Sequence, residues 1–184
     1  MRAFLAIPVP EERLPRLHDV QHALEVGRAV DPENWHVTLA FLGDQPVEAL
    51  EALHELLAAI VAEPFEMRLR GVDIFGGARP SILFAGVEPS EPLIRLRKKV
   101  RAAVRASGIE LPRERFRPHV TLARFGRRHT MLETQRIAGV LEAWGDLDAG
   151  REQVEGFALY RSQLGEGGPL YEALAEYPLG AATG

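Results

Sequence analysis

The hydrophobic positions of this chain repeat with two periods, near 2 in some stretches and near 3.6 in others. Residues 2–9 alternate weakly and predict a strand. Leu14, Leu17, Gln21 and Leu24 recur at helical spacing, and Gly27 reads as the end of that helix. Residues 35–42, WHVTLAFL, are rich in β-branched and aromatic side chains and run into Gly43-Asp44, which predicts a strand. Pro46 suits a first helical turn, and Leu50, Leu53, Leu57, Ile60 and Val61 then make one apolar stripe. Residues 65–75 and 81–87 read as strands around a Gly76-Gly77 turn. Leu93, Leu96, Val100 and Val104 line one face of a third helix, and residues 116–125, FRPHVTLARF, predict another strand. Leu132, Ile137, Val140, Leu141 and Trp144 predict a fourth helix. Two closing strands are expected near 153–161 and 170–177, with a frayed end over 180–184.

The predicted order is β-α-β-α-β-β-α-β-α-β-β, an α+β arrangement rather than a regular βα alternation. Its last five elements repeat the order of elements two to six. The sequence repeats with them: His36-Val37-Thr38-Leu39-Ala40 recurs as His119-Val120-Thr121-Leu122-Ala123. No linker separates the halves, so residues 1–184 are expected to form one domain of two lobes built by internal duplication.

Composition narrows the chemistry. A chain of 184 residues with 46% hydrophobic and 26% charged side chains has a globular balance. With no Cys, disulfides, thiolate zinc sites and cysteine nucleophiles are excluded. The apolar run at 3–7 is broken by Pro8 and Pro10, and no stretch nears the ~20 apolar residues that span a bilayer. A cytoplasmic protein without membrane contact is expected. The net charge of −4 does not announce a polyanion partner. Charge is unevenly spread, however: Arg and Lys crowd residues 95–128, opposed only by Glu110 and Glu114. There Arg97, Arg101 and Arg105 fall on one helical stripe, either a solvated face or a surface that holds a polyanion locally.

Strand alternation places His36, Thr38 and Ala40 on one face, and Val37, Leu39 and Phe41 on the other, against the core. The second copy presents His119, Thr121 and Ala123 likewise. Two such strands brought together line one cleft with two imidazoles and two hydroxyls. One imidazole can accept a proton while its twin donates one, and hydroxyls can donate to oxygens that gain charge. That set suits in-line attack at phosphorus, with a bell-shaped pH profile whose limbs lie near neutrality. Motifs for a serine or cysteine nucleophile, HExxH, a P-loop and GxGxxG are absent, and no carboxylates cluster near the two His, so no metal is expected. His18 and His22, four apart on a helix, lack an evident third ligand, and His54 and His129 read as structural.

The blocks MRAFLAIPVP, NWHVTLAFLG, ARPSILFAGV, FRPHVTLARF and LYRSQLGEGGPLYEAL together cover much of the chain. With them the sequence resembles the two-histidine phosphoesterases, specifically the bacterial and archaeal RNA 2′,3′-cyclic phosphodiesterases, also called 2′-5′ RNA ligases. The resemblance implies two pseudosymmetric lobes, each an antiparallel sheet with helices on its outer face, and an active-site groove between them. It implies His36 as general acid, His119 as general base, and Thr38 and Thr121 as ligands of phosphate oxygens. The implied reaction opens a 2′,3′-cyclic phosphate to a 2′-phosphate, and an RNA 5′-hydroxyl in place of water gives 2′-5′ ligation. No cofactor is implied. The implied partner is RNA with a 2′,3′-cyclic phosphate end, tRNA fragments among the candidates, acted on by a monomer. Arg124 matches the family's arginine after the second motif, yet strict alternation points it away from His119 and Thr121 unless a strand end or bulge intervenes. Ser162 also matches a family position. Phe41, Phe84 and Tyr160 are candidates for stacking on a base. Two alternatives stay open: an esterase of a small cyclic nucleotide, and a non-catalytic RNA-binding module.

Overall fold

A computed structural model of the protein describes residues 1–165 and 168–180. Among the described residues the strands are β1 (Arg2–Pro8), β2 (Arg28–Ala29), β3 (His36–Asp44), β4 (Phe65–Phe75), β5 (Ile82–Val87), β6 (His119–Arg124), β7 (Asp148–Val154), β8 (Gly156–Gly165) and β9 (Gly168–Pro178). The helices are α1 (Pro15–Leu24), α2 (Val47–Ala58), α3 (Glu91–Ala106) and α4 (Met131–Trp144). Thr130 and Glu133 form a capping box that starts α4, and the Ser90 hydroxyl accepts from Leu93 N–H at the start of α3.

The strands form one antiparallel sheet in the order β7-β4-β5-β6-β3-β1-β8-β9, with β2 beside β6. At its middle, β3 meets β6 through a single registered pair, Val37 with Val120. That seam divides the sheet into two lobes, β3-β1-β8-β9 and β6-β5-β4-β7, the second also carrying the short β2 beside β6. Helices α2 and α3 pack on the first lobe, α1 and α4 on the second. Val37, Leu39, Val120 and Leu122 pass into one core with Leu53 and Leu57 of α2 and Leu96 and Val100 of α3. Burying those faces is the main favourable term in folding, at roughly 25 cal/mol per Å² of apolar surface. Among the described residues, no helix is long and apolar enough to cross a membrane.

Several expectations are corrected. In the strand order, β1 and β5, β3 and β6, and β4 and β8 occupy equivalent places, so the repeated run is β-α-β-α-β, beginning one element earlier than the sequence order indicated. The chain closes with three strands, because the stretch read as one strand near 153–161 is the end of β7 and the start of β8. Helix α1 ends at Glu25, which takes the left-handed conformation at φ 49°, before Gly27 is reached. Pro46 caps α2 from outside its first turn. Gly180 donates its N–H to Ala62 O and is tied down, while residues 181–184 of the expected frayed end lie outside the described residues.

The basic stripe on α3 also resolves. Arg101 is buried and donates to Pro112 O at 2.6 Å and to Glu114 at 3.2 Å. Arg97 donates to Glu114 at 2.7 Å and covers the Phe116 ring at 4.2 Å. Residues 109–118 fold back over the helix, so these two arginines clamp the approach to β6, while Arg105, the third of the stripe, stays exposed.

Candidate active site

Antiparallel pairing at Val37 and Val120 sets the flanking positions around a local two-fold: His36 beside Thr121, and Thr38 beside His119. Each copy of HVTLA thus completes the other's site. Each imidazole is anchored by its own chain two residues earlier. His36 Nδ1 lies 2.7 Å from Asn34 O, and His119 Nδ1 lies 2.8 Å from Arg117 O. A carbonyl accepts only, so Nδ1 carries the hydrogen and Nε2 is left to exchange a proton.

The floors under the two rings match. Phe4 of β1 lies 5.0 Å from the His36 ring, and Phe84 of β5 lies 5.2 Å from the His119 ring. Tyr171 meets His36 edge-on at 5.4 Å, and Phe75 meets His119 edge-on at 4.9 Å. Arg117, ion-paired with Asp73, lies over both Phe75 and Phe84. Gly86 is the registered partner of His119, and a Cβ there would sit 2.8 Å from Arg70 O. Only glycine lets β4 approach β5 so closely beside the ring.

Strict alternation fails at matching places in the two copies. Leu5 pairs with Ala40 but Ala6 pairs with Thr38, so Leu39 is an extra residue in β3. Leu83 pairs with Ala123 but Phe84 pairs with Thr121, so Leu122 is the extra residue in β6. Each bulge reverses which face the following residues occupy. Ala40 and Ala123, expected beside the histidines, are therefore buried at 1% and 0% exposure. Phe41, expected in the core, stands 62% exposed on the groove side. Arg124 takes the equivalent place in β6, and its charge bears on both imidazoles. The second bulge is held from α1, where Gln21 Nε2 donates to Leu122 O at 2.7 Å and to Val30 O at 2.8 Å.

Burial and charge act on both imidazoles in one direction. Burial foremost lowers the His36 pKa to about 4, against the Asn34 carbonyl that favours its charged form, and the Arg124 and His119 charges depress it further. His119 is lowered by burial first, with Arg117 and Arg124 adding to it and the Arg117 carbonyl opposing. The unfolded chain therefore takes up a proton at His36 near pH 6.5, where the folded chain does not. Stability from this residue is complete above pH 6.5 and falls as pH drops toward 4, by up to about 3 kcal/mol. Thermal melts of wild type and His36→Gln should diverge across that window, the wild type losing more stability toward acid. Parallel curves would show that His36 is not held neutral by the fold.

The other candidates separate. Phe84 is buried beneath His119 and unavailable for stacking on a base. Tyr160 stacks on Phe4 at 5.2 Å and lines a cleft of about 320 Å³ beside His36, with Pro10, Trp35 and Tyr171. Ser162 pairs across the β8–β9 hairpin with Tyr171. His18 faces Glu11 and Trp35, His54 meets the Tyr177 hydroxyl at 3.0 Å, and His129 meets Pro80 O at 2.8 Å. Among the described residues no three His, Asp or Glu side chains converge as metal ligands. Sequence reasoning missed Phe4, Phe75, Tyr171 and Gln21. Gln21 alone carried a signal, as a polar residue in an otherwise apolar helical stripe.

Known proteins agree with this architecture. An RNA 2′,3′-cyclic phosphodiesterase of Thermus thermophilus is 37% identical over 97% of this chain and 90% of its own length. Another, of Geobacillus stearothermophilus, is 32% identical over 98% of this chain, which spans 58% of that protein's length. The crystal structure of E. coli LigT complexed with 3′-AMP superposes with a TM-score of 0.79, at 27% identity over 97% of each chain. The family model of the 2′-5′ RNA ligase superfamily matches residues 9–166, and the chain belongs to that superfamily.

Proposed function

We propose that the protein is an RNA 2′,3′-cyclic phosphodiesterase that uses His36 and His119 as an acid/base pair. The observation that carries this reading is the pair of imidazoles set about one strand seam, each with Nδ1 bound to a carbonyl and Nε2 left for proton transfer. Water attacks phosphorus and gives its proton to His119 Nε2. The P–O3′ bond breaks, and O3′ takes a proton from His36 Nε2, leaving a 2′-phosphate. Thr38 and Thr121 donate to the non-bridging oxygens, and the Arg124 guanidinium offsets their charge. An RNA 5′-hydroxyl replacing water makes a 2′-5′ linkage by the same proton transfers. Residues 1–184 act as one bilobal domain of duplicated origin, as a cytoplasmic monomer, with tRNA fragments among its substrates.

Incubation with an RNA ending in a 2′,3′-cyclic phosphate should yield the 2′-phosphate. A 3′-phosphate product would reverse the assignment of leaving oxygen, and an unchanged substrate would refute the function. The proton transfers use side chains alone, so turnover should survive EDTA at full rate. Loss on chelation, restored by zinc or magnesium, would make the two histidines ligands.

A further inference from the structure

Beyond the two motifs, β2 brings a second arginine to the groove. Arg28 is the registered partner of Arg124. Directly opposed residues of an antiparallel pair share a face, and like charges placed so repel. Among the described residues no carboxylate forms an ion pair with either guanidinium. Of the two acids nearest Arg28 in sequence, Asp31 accepts the Glu33 N–H at 3.0 Å and Glu25 pairs with Arg136 at 3.7 Å. A cleft of about 160 Å³ is lined by both arginines together with Asp31, Asn34 and Tyr171. Tyr171 is shared with the larger cleft beside His36, whose walls are Phe4, Trp35 and Tyr160 and whose rim carries Glu11, Glu12 and Glu33. The larger cleft is apolar inside and acidic at its edge, which suits an uncharged base and repels phosphate. The smaller one sets two guanidinium groups against the single carboxylate of Asp31 and is positive on balance.

We propose that Arg28 binds the phosphodiester one nucleotide 5′ of the cyclic phosphate, so that the groove distinguishes an RNA end from a free nucleoside cyclic phosphate. This rests on the function proposed above. Registered strand partners lie ~5 Å apart, so groups held by Arg124 and Arg28 belong to neighbouring units of one chain. With O3′ at His36 and phosphorus at Arg124, the chain leaves through O5′, and its first charge meets Arg28 while the base enters the apolar cleft. A guanidinium on a phosphate forms a charge-assisted, two-pronged hydrogen bond.

The test compares cytidine 2′,3′-cyclic phosphate, a dinucleotide ending in a cyclic phosphate, and the same dinucleotide with a neutral methylphosphonate linkage. Arg28→Gln should lower the dinucleotide-to-nucleoside ratio of kcat/KM at least ~10-fold, through KM, while Arg28→Lys, which keeps the charge but not the fork, should lose less. In the wild type the methylphosphonate should cause a similar loss, and Arg28→Gln should add nothing to it. Equal losses on all three substrates, or no loss on any, would overturn the proposal. Calorimetric affinities for the dinucleotide 3′-phosphate and for cytidine 3′-phosphate give the same comparison without turnover. A wild type inactive on all three substrates would refute the cyclic phosphodiesterase and leave that affinity comparison to decide on Arg28.

Discussion

Replacing either His36 or His119 by Ala should lower turnover at least ~100-fold, because each ring moves a proton that no neighbour can move for it. The two losses should not multiply in the double variant, since acid and base act in one step. The pH profile gives the sharper signature. Below the lower limb both rings are protonated and nothing accepts the proton of water. Above the upper limb both are neutral and nothing protonates O3′. Two ordinary imidazoles would centre this bell near neutrality, as the sequence alone suggests. Burial and the Arg124 charge hold both rings down, His36 to about 4, so the kcat/KM bell should lie on the acid side of 6.5. Bound phosphodiester, being anionic, favours imidazolium and should displace the kcat profile upward relative to kcat/KM. Near-wild-type turnover in either single variant would sink the assignment, as would a kcat/KM that rises between pH 7 and 8.

Arg124→Gln should cost about 10- to 100-fold in kcat/KM, the worth of a charge-assisted contact to a phosphate. A second effect follows from position. The Arg124 charge depresses both imidazoles, so its removal should move both limbs of the bell toward higher pH. A side chain that merely stabilised the strand would lower activity or Tm and leave the limbs in place. That result would return Arg124 to the outer face that strict alternation assigns it.

The two His-x-Thr strands were legible because their evidence is local and occurs twice. The bulges were not. An extra residue at Leu39 or Leu122 is defined only by what lies opposite, Leu5 and Ala6 in one case, Leu83 and Phe84 in the other. A two-residue period carried past those points misplaces Ala40, Phe41 and Arg124 together. Strand β7 was hidden for another reason. Its inward positions are Ala149, Glu152 and Val154, and the buried Glu152 carboxylate pairs with Arg13 from the far end of the chain. A charge at a core position breaks the alternation that announces a strand. The α3 stripe was correctly placed on one helical face, but only the returning segment at 109–118 covers Arg97 and Arg101, leaving Arg105 exposed.

The strand order has a consequence for how the protein can be divided. The lobe with His36 takes β8, β9 and α3 from the C-terminal half of the chain, and the lobe with His119 takes β4 and α1 from the N-terminal half. A cut at the Gly76-Gly77 turn would leave two fragments, each holding parts of both lobes and neither holding a whole one. Each would expose strand edges and apolar helix faces that only the other covers. The smallest cooperative unit is therefore the pair of halves together, and a single copy of the repeat could close such a groove only by exchanging strands with a second chain.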